Sequence, residues 1–302
     1  MTGAVLFGNG TAASITQAML QALINTGGKI IFNGGSSPVT LTLNATLNVD
    51  GRKEVIIDGR GLLTISGNNS VRIFSKGTTS NQAQGTLFGV QNMRLINGRT
   101  NEGLGGAAIQ GQQFGSLKVH NVVFQDNQGP LSSGDACGAV WTGSYKETSF
   151  VNCTFINNKA ANGGAIGSIG SSVSIINFLF ESNEAVGVGG TFAQGGQGGA
   201  VYMDGVNLNG VNSYLILCGS VFKNSTARHQ AGALNASFYR NQGSTGTIDR
   251  CLFQNNKCLD NLGGAMYLQL SEGLSPAGAN GNFVVTNCTF DNNSSPEQGG
   301  AA

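Results

Sequence analysis

VNCTFINNKAANGGAI, residues 151–166, contains two short units, FINN at 155–158 and GGAI at 163–166, and both recur along the chain. The first returns as FQDN 124–127, FESN 180–183, FKNS 222–225, FQNN 253–256 and FDNN 290–293. The second returns as CGAV 137–140, GGAV 198–201, AGAL 231–234, GGAM 263–266 and GGAA 299–302. An earlier, less regular copy reads NMRLING 92–98 followed by GGAA 105–108. Successive phenylalanines stand 31, 25, 42, 31 and 37 residues apart. A fixed motif with variable spacers marks a solenoid rather than tandem globular domains.

Helical repeats of this length need long apolar faces of period 3.6, and none occurs. The approach to each phenylalanine alternates instead: Val151, Cys153 and Phe155 share one face, as do Val284, Thr286, Cys288 and Phe290. Alternation resumes after each GGA, with Val201 and Met203 opposite Tyr202, and Met266, Leu268 and Leu270 opposite Tyr267 and Gln269. Short strands between Gly- and Asn-rich turns give an all-β fold, a parallel β-helix whose coils stack about 4.8 Å apart. Stacking predicts an inward ladder of Phe124, Phe155, Phe180, Phe222, Phe253 and Phe290. Three residues on, Asn127, Asn158, Asn183, Ser225, Asn256 and Asn293 are expected at a turn, where an Asn amide satisfies backbone groups and tolerates left-handed geometry. The glycines before each Ala suit a tight corner. Cys153, Cys251 and Cys288 each precede a ladder Phe by two residues and read as buried small apolar groups, with disulfides the alternative. Cys251 and Cys288 are the one evident stacked pair, and Cys258 is expected in a loop.

Composition excludes several classes. Of 302 residues, 48 are Gly, 33 Asn, 4 Pro and only 31 Lys, Arg, Asp or Glu. Forty per cent are apolar, enough for a sizeable core and against disorder. A net charge of +1 without a basic run leaves no footprint for nucleic acid. No apolar stretch reaches the roughly 18 residues of a membrane span, and the glycines keep no collagen period. Six Cys without a CxxC pair, and two His, do not form a zinc pattern, so no metal and no cofactor are expected. MTGAVLFGNG carries no signal-peptide pattern.

Residues 1–100 read as an N-terminal cap with the first coils, and 101–302 as the repeat coils. Ser14-Ile-Thr-Gln17 reads as a capping box opening a helix over about 14–26, with Ile15, Ala18, Met19, Ala22 and Leu23 on one face and Gly27 as its stop. Such a helix would act as a lid on the end coil. Strand-like runs follow at KIIF 29–32, VTLTLNATLNV 39–49, EVIID 54–58, LLTIS 62–66 and VRIFS 71–75. At the other end the sequence stops inside a GGAA unit, so an open coil is expected there and a longer natural chain, with end-to-end or lateral self-association through that edge.

Repeated GGA[I/V/L/M] alternating with FxxN resembles the repeats of the polymorphic outer membrane proteins and related surface proteins of the pectate-lyase-like β-helix superfamily. The opening is similar as well, with GGKIIFNGG, VIIDGRGLLTISG and then TLFGVQNMRLING leading into the first Gly-Gly-Ala. The resemblance, with the crossover rule, implies a right-handed single-stranded coil. It implies export to the cell surface or medium, and a non-catalytic adhesin- or stalk-like role toward an extracellular glycan or a host or cell-surface protein. The alternative within the superfamily is a polysaccharide lyase or glycoside hydrolase.

Catalysis on this fold needs acids, or acids with bases, clustered on neighbouring coils. The 15 acids scatter, and two residues after each ladder Phe only Asp126 is acidic, followed by Asn157, Ser182, Asn224, Asn255 and Asn292. Arg99, Lys118, His120 and Asp126 form the one loose candidate cluster, against solvated outer-face charges. Asp58, in DGRG 58–61, reads as a turn residue. The residue after each GGAφ unit is Trp141, Gly167, Tyr202, Asn235 and Tyr267. If φ points inward, Trp141, Tyr202 and Tyr267 place an aromatic on every second coil, a spacing of about 9–10 Å that suits alternate sugar rings. The competing expectation is that loops such as VGVGGTFAQGGQ 186–197 fold over them. A flat threonine face for ice (Thr40, Thr42, Thr46) ranks third, because the coil lengths vary. Asn-X-Ser/Thr sequons are numerous, as Asn-richness alone produces.

Overall fold

The computed structural model describes residues 3–79, 85–111, 115–132, 134, 136–143, 147–187, 195–205, 214–239, 244–271 and 281–300. The chain winds as a parallel β-helix of three sheets. A sixteen-stranded sheet begins with Val5–Phe7, Gly28–Phe32, Val39–Thr42, Val55–Ser66, Leu87–Ile96 and Ser116–Gln125. From there each coil contributes two short segments to it, such as Glu147–Val151 and Thr154–Ile156. An eight-stranded sheet runs from Leu47–Val49 to Met266–Ser271 and holds the residues after each GGA. A four-stranded sheet of two-residue strands completes the triangle: Lys159–Ala160, Glu184–Ala185, Thr226–Ala227 and Lys257–Cys258. Cys258 therefore lies in a strand, not a loop, buried in line with Ala160, Ala185 and Ala227. A two-residue strand shows no alternation, so only its small inward side chain marks it.

Phe124, Phe155, Phe180, Phe222, Phe253 and Phe290 occupy one register position in six successive coils. Their ring centroids lie 4.5–5.2 Å apart with planes within 12° of parallel. Toward the N-terminus the same column continues as Leu95, Ile65 and Leu41.

Three residues on, Asn127, Asn158, Asn183 and Asn256 are buried and Asn293 is half-buried. Asn158 Nδ2 donates to Phe124 O (3.1 Å) and to Asn183 Oδ1 (3.0 Å), and Asn158 Oδ1 accepts from Asn127 N and Nδ2. Asn256 repeats this with Phe222 O and Asn293 Oδ1. The left-handed backbone expected at these residues falls one place earlier, at Asp126, Asn157, Ser182, Asn224, Asn255 and Asn292, with φ of 51–56°. A second left-handed series, at Asn121, Asn152, Asn177, Gly219, Arg250 and Asn287, bends each coil between its two segments. The amide column is interrupted at Ser225, whose buried hydroxyl finds no hydrogen-bond partner among the described residues. Ser225→Asn restores the donor for Phe180 O and the acceptor for Asn183. We expect a gain of about 1–3 kcal/mol from two or three buried hydrogen bonds. Urea midpoints read it, and a loss would mean the site lacks room for the amide.

At the corner before the eight-stranded sheet, the first residue of the unit is left-handed at Gly106, Gly163, Gly198, Gly263 and Gly299, and also at Ala231 (φ 57°). The second glycine stacks against the next coil's backbone. In the irregular copy Gly105 pairs with Cys137 as the sequence suggests, but Ile109 rather than Ala108 pairs with Val140, so one extra residue is taken up between the two.

The helix is Gln17–Thr26, capped by Thr16, whose Oγ1 accepts from Met19 N at 3.3 Å. Ser14 ends a 3-10 turn instead and donates to Thr11 O. The buried stripe is Leu20 and Ile24 flanked by Met19 and Leu23, while Ala18 and Ala22 are exposed. Gln17 does not fold back onto the cap. Its amide pairs with Asn44 N and Ala45 O, and that of Gln21 with Asn48 N and Asn48 O, all at 2.8–2.9 Å. Leu47–Val49 is the edge strand of its sheet, so Gln21 occupies the place of a neighbouring strand at Asn48, and Gln17 satisfies the backbone just before it.

Among the described residues, one lysine is buried inside the coil. Lys76 is 1% exposed, and its Nζ donates to Asp50 O, Gly51 O, Lys53 O and Thr86 Oγ1 at 3.2–3.4 Å. Burial pushes its pKa from 10.5 down to about 8. Burial pushes the thiols of Cys153 and Cys251 from 9.0 up to about 12. Above pH 8 the folded chain sheds the Lys76 proton while the unfolded chain keeps it, so stability rises by up to about 1.4 kcal/mol per pH unit. Above about pH 9 the unfolded thiols ionise while the folded ones stay protonated, and stability falls. We expect a maximum near pH 9 in urea titrations. Lys76→Met should lose the rising limb and keep the falling one; a wild-type profile flat between about pH 7 and 9 would contradict a buried ammonium.

Candidate functional site

On the outer face of the sixteen-stranded sheet, register stacks Ile56, Gly89, Lys118 and Ser149 in one row and Asp58, Gln91, His120 and Val151 in the next. Gly89 leaves a notch between Ile56 and Lys118, since a Cβ there would meet Ile56 at 3.3 Å. The result is a groove of about 290 Å³ lined by Ile56, Leu87, Gly89, Gln91, Lys118, His120 and Ser149, among others. Nothing in a linear reading distinguishes Gln91 and Ser149; the signal for the notch is a glycine inside a strand.

Asp58 stands beside this groove in the strand Val55–Ser66, not in the turn expected of it, where the pairing with Leu87–Ile96 shifts register between Asp58 and Leu63. Its carboxylate accepts from Gln91 Nε2 (2.7 Å), Asn92 Nδ2 (3.0 Å) and Arg60 N (2.9 Å). Partial burial raises its pKa, but these hydrogen bonds outweigh that and hold it below the usual carboxylate range. The four catalytic candidates separate. Lys118 and His120 line the groove together. Asp126 occupies a left-handed corner beyond it and accepts from Gln125 Nε2, while Arg99 bridges to Gln128 on the short third face. No carboxylate lines the groove among the described residues, so the cluster read from sequence is not one site. Nor, among the described residues, do three or more His, Cys, Asp or Glu gather where they could hold a metal ion.

Trp141, Gly167, Tyr202, Asn235 and Tyr267 share one register row of the eight-stranded sheet. They do not make an open platform, because Trp141 and Tyr202 are each only 6% exposed and pack with Cys137 and Leu104. Gly167 admits the Cys137 thiol, since a Cβ there would lie 1.5 Å from Sγ. Gly143 admits the indole, with 2.1 Å to the nearest ring atom. This outer apolar cluster replaces the sugar platform as the role of Trp141 and Tyr202. Tyr267 is partly exposed and lines a cavity of about 380 Å³ with Leu262, Met266, Leu268 and Gln298. Most of the loop expected to cover the row, residues 188–194, lies outside the described residues.

Taken together, three parallel sheets, stacked interior columns and shallow outer grooves define a parallel β-helix repeat module. The family model described as Chlamydia polymorphic membrane protein (Chlamydia_PMP) repeat matches residues 152–168 and 287–302. Each matched stretch starts at a left-handed Asn, passes through a ladder Phe and the Asn three residues on, which hydrogen-bonds the previous coil, and reaches the glycine corner. No curated protein and no solved structure matches the chain. No helix among the described residues is long and apolar enough to cross a membrane, which says nothing of membrane β-barrels.

Proposed function

We propose that the chain is an extracellular surface-display module, adhesin- or stalk-like, of the kind built on pectate-lyase-like β-helices. A rigid coil stack holds loops toward a host or cell-surface protein or glycan. The observation that carries this reading is that spacer length varies while register does not. Three residues separate Gly143 from Glu147, and ten separate Ser271 from Asn282, yet the strands on either side stay in line. Variation in spacer length is therefore absorbed between strands whose register stays fixed. The match to a repeat of polymorphic membrane proteins supports a place at the cell surface.

The test pairs two assays on the purified chain. Fluorescently labelled chain should bind cultured epithelial cells saturably, and replacing residues 206–213 and 272–280 with Gly-Ser linkers should abolish binding without lowering the unfolding midpoint. Binding that survives every loop replacement would place recognition on the coil faces instead. Reducing-end release from polyuronates, lost on Lys118→Ala or His120→Ala, would replace the display reading with an enzyme.

A further inference from the structure

Two of the six thiols face each other across adjacent coils. Leu252 pairs with Thr289 and Phe253 with Phe290, which sets Cys251 and Cys288, one residue earlier, opposite each other. Parallel neighbours spaced about 4.8 Å apart fall inside the Cα separation of about 4.4–6.8 Å that a disulfide bridges. The two side chains also point the same way. Cys251 Sγ donates to Asp249 O (3.3 Å) and reaches Leu217 O of the previous coil (3.8 Å). Cys288 Sγ donates to Thr286 O (3.1 Å) and reaches Ile248 O of its previous coil (3.6 Å). Burial, with the neighbouring Cys288 thiol adding to it, pushes the Cys251 thiol up to about 12, and none of the six cysteines is in a disulfide.

Cys153, Cys258 and Cys218 have a residue other than cysteine level with them in the paired strands. The place level with Cys153 is Val122 on one side and Phe178 on the other, one residue before the paired Val123, Thr154 and Leu179. Cys258 stacks on Ala227. Cys218 sits between Ile176 and Asp249 in its row, and its Sγ accepts from Arg250.

We propose that Cys251 and Cys288 form a disulfide when the folded chain meets a low-molecular-weight disulfide, stapling two consecutive coils through the core. The half-buried Cys288 reacts first. Its thiolate attacks the reagent RSSR, one RS⁻ leaves, and a mixed disulfide forms on Cys288. The Cys251 thiolate then attacks the Cys288 sulfur and expels the second RS⁻. Two protein thiols are oxidised, one RSSR is reduced to two RSH, and the two thiol protons go to the leaving thiolates.

The experiment incubates the folded chain with oxidised glutathione, alkylates remaining thiols in guanidinium, and maps peptides without reduction. The expected product is one linked peptide carrying Cys251 and Cys288, with Cys153 and Cys258 alkylated. In Cys251→Ser the second step is blocked, so glutathione should accumulate on Cys288. In Cys288→Ser, Cys251 should stay reduced. Three results would overturn the proposal. These are linkage of either residue to Cys218, a glutathione adduct that persists on wild-type Cys288 unresolved, and failure of glutathione to add to Cys288 in Cys251→Ser.

Discussion

Phe180→Ala should lower the unfolding free energy by about 3–5 kcal/mol, the range for emptying a fully buried phenylalanine site. Phe180 has no solvent exposure, and it stacks on Phe155 at 5.2 Å, on Phe222 at 4.5 Å and on Phe178 at 5.5 Å. The surroundings have little freedom to collapse into the space. The strands on both sides are held in register by Phe155 and Phe222, which pair directly with residue 180. The cavity therefore persists, which puts the cost toward the upper part of the range. Among the described residues Phe290 stacks on Phe253 alone and is only half-buried, so its truncation should cost less, about 1–2 kcal/mol from the smaller area involved. Urea unfolding of the two variants gives the comparison. A loss below about 1 kcal/mol at Phe180, or a larger loss at Phe290, would sink the idea that the column carries the core.

Gly199→Ala should be comparably damaging for a different reason. A Cβ on Gly199 would lie 2.0 Å from Gly232 O and 2.7 Å from Thr226 O. Both obstacles are backbone, in a neighbouring coil that is itself hydrogen-bonded onward, so no flexible side chain can move aside. The cost is steric, at or beyond the 1–3 kcal/mol typical of overpacking, and we expect at least about 3 kcal/mol. Ala231→Gly is the informative counterpart. Ala231 holds a left-handed backbone at 57°, a conformation that costs an L-residue roughly 1–2 kcal/mol and glycine almost nothing. That variant should gain about 0.5–1 kcal/mol once the extra freedom of glycine in the unfolded chain is subtracted. Thermal melts of both variants should move in opposite directions. Equal destabilisation would mean that the corner is sensitive to any change rather than to a Cβ.

The fold was legible because the spacers changed length while FxxN and GGA recurred with single changes (FKNS, CGAV, AGAL), the pattern of a solenoid. The Phe column needed only the spacing of one residue type. Finer assignments failed where two neighbours look alike. Asn157 and Asn158, Asn255 and Asn256, and Asn292 and Asn293 are adjacent pairs, and one member of each takes the left-handed bend while the other turns inward. Composition cannot tell them apart, because Asn suits both places. The helix start slipped for the same reason, with Ser14 and Thr16 both good caps two residues apart. Burial of Trp141 and Tyr202 was illegible for another reason. It depends on Cys137, on Leu104 and on the bare backbone of Gly167, which meet only after the coils stack. The groove at Lys118 and His120 needs Gly89 and Ser149 from the coils on either side. Register assembles such faces, and no single segment contains them.

The glutamine pairing on Leu47–Val49 gives the winding a direction. Each coil forms by laying its backbone against the free hydrogen-bonding edge of the one before. Gln21 occupies that edge at Asn48 and Gln17 holds the backbone just before it, so at this sheet a further coil has no free edge to pair with on the helix side. Only the opposite side of the sheet offers a free edge for stacking, and the helix, first read as a lid over the core, closes the first side by hydrogen bonding as well.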